Sequence, residues 1–361
     1  MKIEAKHHSI IIGKNSIRSL KSEIKKLCPE CKKIYLVTDK NIPRSFIGKI
    51  KSNLKGYKIY VSKITPSEKI KNIKTVEHFL NKLLTLNFNR SDLVIGVGGG
   101  IIGDITGFIS SVFKRGINFI NIPTTLLAQV DSCIGGKTGV NSKFGKNLIG
   151  SFYQPRLVIL DVQILKSLPR RELICGYAEI LKHALIKDEK FFNFLKTNTN
   201  KILKLETKKL IESIRKSVLI KLKFTEKDFK EKKLRMKLNF GHTFAHAFEA
   251  AFGYSKKLNH GEAVILGMKS AFEFSKNKKL ITYKEFDSAI KHLNNYHFPV
   301  SIKNYFTIKK INQIISFMMR DKKNNSKNIK LMLIKKIGGP IIEKEISDVA
   351  VKLFLKKRLI N

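Results

Sequence analysis

The chain has 361 residues, 43% of them hydrophobic, enough for two domains and a sizeable core and too apolar for global disorder. Its 71 basic and 28 acidic side chains give a net charge of +43, but the lysines are spread along the whole length (KKI, KIKNIK, KLETKKL, SKNKKL), as in a chain drifting toward Lys, Ile and Asn rather than one built around a nucleic-acid surface. No apolar run approaches the roughly 18 residues of a membrane helix, and the start MKIEAKHHSIIIGKN has too short an apolar core for a signal peptide, so a cytoplasmic protein with no membrane or specific nucleic-acid partner is expected.

In chain order, the first pattern is the C-x-x-C of Cys28 and Cys31, which has no second ligand pair nearby and reads as two reduced thiols. KKIYLVTD (32–39), KGYKIYVSKI (55–64), SDLVIGVGGG (91–100), INFINIPTT (117–125) and RLVILDV (156–162) are predicted strands, separated by helical stretches. That alternation predicts an α/β, Rossmann-like domain with a parallel sheet over residues 1–165. From there RELICGYAEILKHALI, KKLIESIRKSVLIKLKF and FGHTFAHAFEAAF read as amphipathic helices, with one late strand signal in KLMLIKKIGG. Residues 166–361 are therefore expected to form a mainly α-helical domain, with a site between the two domains.

Two stretches of the first half carry chemistry. In GVGGGIIGDITGF (96–108) an apolar strand runs into glycines at the start of a helix, where backbone can approach a pyrophosphate and the helix terminus offers positive charge. Read from Gly98 the spacing is G-x-G-x-x-G-like, although a tight strand-to-helix turn needs the same residues. IPTTLLAQVDSCIGGKTGVNSKFGKNLIG (122–150) holds threonines, asparagines, spaced lysines and one aspartate, an inventory suited to phosphates and hydroxyls.

The second half holds the metal candidates. LNFGHTFAHAFEAAFGYSKKLNHGEAV contains His242, His246 and His260, and RELICGYAEILKH supplies Glu179. Spacing alone favours His242 with His246, four apart on one helical face, but the H-E-x-x-H pattern fails because residue 243 is Thr.

Taken in order, GGGIIGDITGF, RGINFINIPTTLLAQVDSCIGGKTGVNSKFGKNLIGSFYQP, LPRRELICGYAEILKHALI, LNFGHTFAHAFE, HGEAVILGM and MRDKKNN resemble the 3-dehydroquinate synthases of the sugar phosphate cyclase superfamily, over roughly residues 35 to 335. The resemblance implies a divalent metal, zinc or cobalt, on Glu179, His242 and His260, with His246 holding substrate phosphate instead. It implies NAD along Gly98, Gly99, Gly100, Gly103 and Asp104, with Thr124, Thr125, Asp131, Lys137 and Lys146 nearby and Glu68 and Lys71 on the adenosine side. It places Lys182, Lys221 and Arg235 on the substrate carboxylate and ring oxygens, and Asn147, Asn239, Lys322 and Lys323 on phosphate and polar contacts. Arg115 matches an arginine that reaches the neighbouring subunit's site in the family homodimer. Three departures stand out: Ser67 replaces the glycine of P-x-G-E-x-x-K, Cys133 replaces a serine, and KFTEKDFKEKKLRMKLNF keeps Asp228 and Arg235 but loses a glycine and one acid.

The implied reaction turns DAHP, a seven-carbon 2-keto acid phosphate, into 3-dehydroquinate and phosphate by transient oxidation with NAD, β-elimination, re-reduction and intramolecular aldol closure. Competing readings are a sister cyclase acting on sedoheptulose 7-phosphate, a glycerol-type metal-dependent alcohol dehydrogenase, and a basic nucleic-acid-binding protein. The first would not need Lys182 and Arg235 for a carboxylate, and the second would not need Lys137, Asn147 and His246 for a phosphate.

Overall fold

The computed structural model describes every residue except 256, 297, 299, 300, 321–327, 340 and 361, and the side chain of 343. It forms two compact units, residues 1–176 with 205–230, and residues 177–204 with 231–361.

The first unit is built on a seven-stranded sheet: β1 (Lys2–Glu4), β2 (Ser9–Gly13), β3 (Lys33–Asp39), β4 (Lys58–Ile64), β5 (Leu93–Gly98), β6 (Asn118–Pro123) and, after an antiparallel hairpin of β7 (Lys137–Ser142) and β8 (Gly145–Phe152), β9 (Leu157–Asp161). The order is β1-β2-β9-β6-β5-β3-β4, parallel throughout except for β1. All six residues of β5 and all five of β9 are buried, so those strands read as continuous apolar runs rather than alternating ones. Its helices are α1 (Leu20–Leu27), α2 (Arg44–Asn53), α3 (Ile73–Thr85) and α4 (Gly100–Val112), joined by the start of α5 (Arg170–Lys187). Tyr35, Phe79, Phe88, Ile102, Ile105 and Ile109 fill the core between sheet, α3 and α4. The chain passes from β3 outward to β4 and then returns to β5 on the other flank of β3. That reversal is a topological switch point, where open α/β sheets bind ligands beyond the carboxyl ends of their strands. The glycine turn leaves β5 at that end.

The second unit takes the rest of α5, then α6 (Glu189–Leu203); α7 (Thr207–Lys227) returns to the first unit. It continues with α8 (His242–Ala251), α9 (His260–Asn277), α10 (Tyr283–Asn294), α11 (Ile311–Met319), a hairpin of β10 (Asn328–Ile334) and β11 (Ile341–Ser347), and α12 (Asp348–Ile360). Helices dominate, and the late strand signal is one arm of that hairpin. No helix among the described residues is long and apolar enough to cross a membrane.

Cys28 and Cys31 are free and buried, and burial pushes the Cys31 thiol up to about 12. A thiol so far from ionisation is a poor nucleophile and a poor metal ligand, as expected of a structural pair.

His8 in the first unit and His292 in the second are buried, and burial pulls each from the ordinary 6.5 to about 4. Each therefore folds neutral but charges readily in the unfolded chain. Their stabilising contribution is full above pH 6.5 and is lost as pH falls from 6.5 toward 4, up to about 3 kcal/mol for each. Melting temperature should drop across that window, and His8→Gln should flatten the drop. An equal slope in wild type and variant would refute the assignment.

Candidate active site

The first unit assembles most of the residues assigned to NAD. Lys71, 5% exposed, places its Nζ 2.5 Å from Asp104 Oδ2 and 2.5 Å from Asn147 Oδ1. Asn141 ties the other side, donating from Nδ2 to Glu68 Oε2 at 2.7 Å and accepting from the Asn147 N–H at 3.0 Å. Lys146 Nζ lies 3.3 Å from Glu68 Oε1. One network thus joins Glu68, Lys71, Asp104, Lys146 and Asn147. Burial raises the Asp104 carboxyl above the usual carboxylate range, with the Lys71 ammonium pulling it back down. The resemblance implies a substrate-side role for Asn147; its side chain engages Lys71 from the exposed hairpin, in a left-handed backbone conformation at φ 55°.

The glycine turn is shaped by close packing. A Cβ on Gly98 would collide with Ile102, and one on Gly99 would come within 3.3 Å of Thr125 Cγ2. Gly100 opens α4, and a Cβ on Gly103 would come within 3.1 Å of Asn121 Nδ2. Thr124 is buried and donates its N–H to Gly98 O at 2.9 Å, while Thr125 Oγ1 accepts from Ala128 at 3.1 Å. The bare backbone and the helix N-terminus suit a pyrophosphate. Ser67 has no positive φ, so a serine in place of the usual glycine costs the backbone nothing.

A π-helical turn, Ala128–Ser132, carries Asp131. Lys221 of α7, 5% exposed, bonds both the Asp131 carbonyl and its Oδ1, the latter at 2.6 Å. Single-turn π-helices recur at functional sites because they redirect one side chain out of the helical register. Lys221, two residues before the segment that departs from the family pattern, is thus held against Asp131. Cys133 is buried, bonds Gln129 O at 3.4 Å and is pushed up to about 12 by burial, so it substitutes for serine as an inert group. Lys137 is exposed at the start of β7, and Arg115 is exposed with a left-handed backbone at φ 66°.

The second unit gathers the metal candidates. Glu179, His242 and His260 offer ligand atoms all within 4.8 Å of one another. His242 Nε2 is 3.5 Å and His260 Nε2 3.8 Å from Glu179 Oε1. Glu179 is fully enclosed; its Oε2 pairs with the Lys182 ammonium, and its Oε1 has no hydrogen-bond donor among the described residues. A buried carboxylate oxygen facing two imidazole nitrogens is a costly arrangement that a cation would satisfy. Both histidines open their helices. Gly241 caps α8 at φ 77°, and α9 begins with a capping box of Asn259 and Glu262. His242 Nδ1 lies 3.2 Å from Phe240 O and His260 Nδ1 3.2 Å from Glu249 Oε2, contacts that aim each Nε2 at Glu179. Burial first, then the Lys182 charge, holds the His242 imidazole well below its usual range, hence neutral and ligand-ready. His246 lies one turn on, its ring centre 5.3 Å from that of His242, and is outside the three-ligand group.

Arg235 and Lys182 are buried at 4% and 2% exposure. Asn239 Nδ2 donates to Glu231 Oε1 at 3.1 Å. The sequence reading passes over Glu231, which this bond sets beside the assigned Asn239. Lys322 and Lys323 lie outside the described residues.

Close contact between α8 and α9 brings His242 to His260. A Cβ on Gly267 would meet the Gly241 carbonyl and lie 3.0 Å from the Ala245 nitrogen. Gly267→Ala should therefore push the helices apart, lowering stability by about 1–3 kcal/mol and weakening metal binding. Unchanged zinc affinity in that variant would show that the helix spacing does not set the site.

The fold, an α/β unit with a glycine turn at its switch point followed by a mainly helical unit, is one shared with solved enzymes. It superposes on 2-deoxy-scyllo-inosose synthase, solved with carbaglucose-6-phosphate, NAD+ and Co2+, with a TM-score of 0.87 at 24% identity, covering 99% of this chain and 100% of that one. A 2-epi-5-epi-valiolone synthase from Streptomyces hygroscopicus, solved with NAD+ and Zn2+, gives 0.84 at 23% identity, covering 98% and 97%. Sequence narrows the class. The 3-dehydroquinate synthase N-terminal family model matches residues 61–175 and the C-terminal model residues 176–324. A 3-dehydroquinate synthase of Pelagibacter ubique is 51% identical over 355 residues, 98% of this chain and 96% of its own. The chain belongs to the 3-dehydroquinate synthase family.

Proposed function

We propose that this chain converts DAHP to 3-dehydroquinate and inorganic phosphate, with NAD and one divalent metal. The observation that carries the reading is the enclosed Glu179 carboxylate facing His242 and His260, in a chain 51% identical to a 3-dehydroquinate synthase. Fold neighbours solved with NAD+ and with Co2+ or Zn2+ support the cofactors. When bound, NAD would accept and return a hydride, and the metal would polarise neighbouring substrate oxygens. Glu179, His242 and His260 would hold the metal, and the Lys71–Asp104 network with the glycine turn would hold NAD. Lys182 and Arg235, both buried, are suited to the substrate carboxylate, since a desolvated anion needs cations with few waters of their own. His246, Asn147, Asn239, Lys137, Lys322 and Lys323 would serve the phosphate, and the Asp131–Lys221 pair the ring hydroxyls.

The test is phosphate release from DAHP with NAD and zinc, repeated after chelation and with sedoheptulose 7-phosphate. Metal-dependent release from DAHP alone is expected. Release only from sedoheptulose 7-phosphate would make this a sister cyclase, and release from neither would defeat the reading.

We also read the enzyme as a cytoplasmic homodimer with Arg115 completing the partner's site. Its exposed side chain on a left-handed backbone supports that role. Arg115→Ala should cut activity at least about tenfold with melting temperature unchanged. Mixing it with a His260→Ala chain should restore activity in hybrid dimers; no restoration would place Arg115 in its own subunit's site.

A further inference from the structure

We propose that the second unit carries a separate binding site for a small organic polyanion with a planar ring, of the size of a nucleoside diphosphate. A cavity of about 420 Å³ opens between α9, α10 and α12, in the range typical of small-ligand sites. Lys269, Lys276, Lys303 and Lys357 line it, with Phe286 and Phe354 forming apolar wall. The lining also includes Glu273 and Arg358, which pair with each other, and among the described residues none of the four lysines forms an ion pair.

Two features separate this cavity from the scattered lysines of the general surface. Lys269 is partly buried, and its ammonium has one hydrogen bond, to Asn294 Oδ1 at 3.4 Å. Burial, and then the charge of Arg358, lowers its pKa, so the folded chain holds a desolvated cation that an anion would relieve. Arg358 Nε is buried with no hydrogen-bond partner among the described residues. A drifting surface lysine has no reason to be desolvated, whereas a ligand-binding one does. Cation and ring are also presented together, with Lys276 Nζ 4.5 Å from the Phe286 ring centre. That pairing fits a ligand whose charged groups and planar body are adjacent. The concavity selects a small molecule over a polymer, and four lysines around it select more than one negative charge. Lys269 lies nine residues beyond His260 on α9, a rise of roughly 14 Å, so the cavity is distinct from the metal candidates.

The chain has no tryptophan, so Phe286→Trp would place a single fluorescent reporter in the cavity wall. ADP, pyrophosphate and adenosine are then titrated at physiological salt with NAD saturating. ADP should give a saturable change with a Kd below about 1 mM, and pyrophosphate and adenosine should each bind about tenfold more weakly. Lys269→Gln/Lys357→Gln in the same background should weaken ADP by about tenfold or more. Equilibrium dialysis of ADP against the NAD-loaded chain, with and without the two lysine substitutions, gives the same answer without the reporter. A linear, non-saturating response, pyrophosphate binding as tightly as ADP, or an unaffected lysine variant would overturn the proposal.

Discussion

Glu179→Gln is expected to lose bound metal and to lower kcat/KM by about a thousandfold or more, the factor that several kcal/mol of lost charge stabilisation sets. The amide keeps one acceptor but no charge, and its NH2 would point at imidazole nitrogens or at Lys182. The substitution also strips the counter-charge from Lys182, which is 2% exposed. Breaking a buried pair by removing one partner costs about 3–5 kcal/mol, so a lower melting temperature will accompany the loss of metal. Glu179→Gln/Lys182→Met separates the two effects: stability should return while metal binding does not. The histidines divide the site further. His260→Ala should lose metal, whereas His246→Ala should keep it and raise KM for DAHP, because His246 stands outside the three-ligand group. Metal analysis that finds His246→Ala empty and His260→Ala loaded would reverse the assignment.

That division was not legible from spacing. His242 and His246 are the pair that sequence periodicity offers, and they do share a helix face, with ring centres 5.3 Å apart. The third ligand comes instead from α5 in the first half of the unit, and His260 comes from the next helix. Only packing brings these together, through the glycine contact of Gly241 with Gly267, which no periodicity encodes. The family resemblance implies the triad where local pattern cannot.

The sheet was easier. Five strands of the first unit lie within a few residues of their predicted ranges; four do so because buried parallel strands are near-continuous apolar runs bounded by turns, while β4, an edge strand with no buried residue, shows instead in its β-branched and aromatic residues. β2 went unread because its apolar core is three isoleucines, which look like the fragment of a leader. No strand is predicted over the β7–β8 hairpin, because most of β8 is exposed and neither arm shows the one-sided alternation that marks a strand. A register irregularity between Val140 and Ser142 blurs the pattern further. Glu231 escaped for a related reason: it sits in a lysine-rich turn, and its link to Asn239 appears only when that turn is folded.

Lys71→Met should abolish measurable NAD affinity and destabilise the first unit by about 3–5 kcal/mol, the range found when one member of a buried pair is removed. Lys71 is 5% exposed and holds two acceptors, Asp104 and Asn147, each at 2.5 Å. Methionine fills the same volume, so the effect is electrostatic rather than a cavity. Without the ammonium, the Asp104 carboxylate has burial acting on it with no adjacent cation, and its pKa should climb further above the usual carboxylate range. The penalty therefore has a sign in pH. It is full where Asp104 must ionise and fades as pH falls and the carboxyl takes up its proton. Stability of the variant relative to wild type should accordingly improve toward acid pH. Lys71→Met/Asp104→Asn should recover most of the lost melting temperature, since a neutral amide no longer needs a cation, but not NAD binding if both groups touch the cofactor. Calorimetric titration of NAD into the double variant decides this. Near-normal affinity would make the pair a scaffold for the hairpin, with Asn147 its anchor, and move the adenosine side of the NAD site away from Lys71.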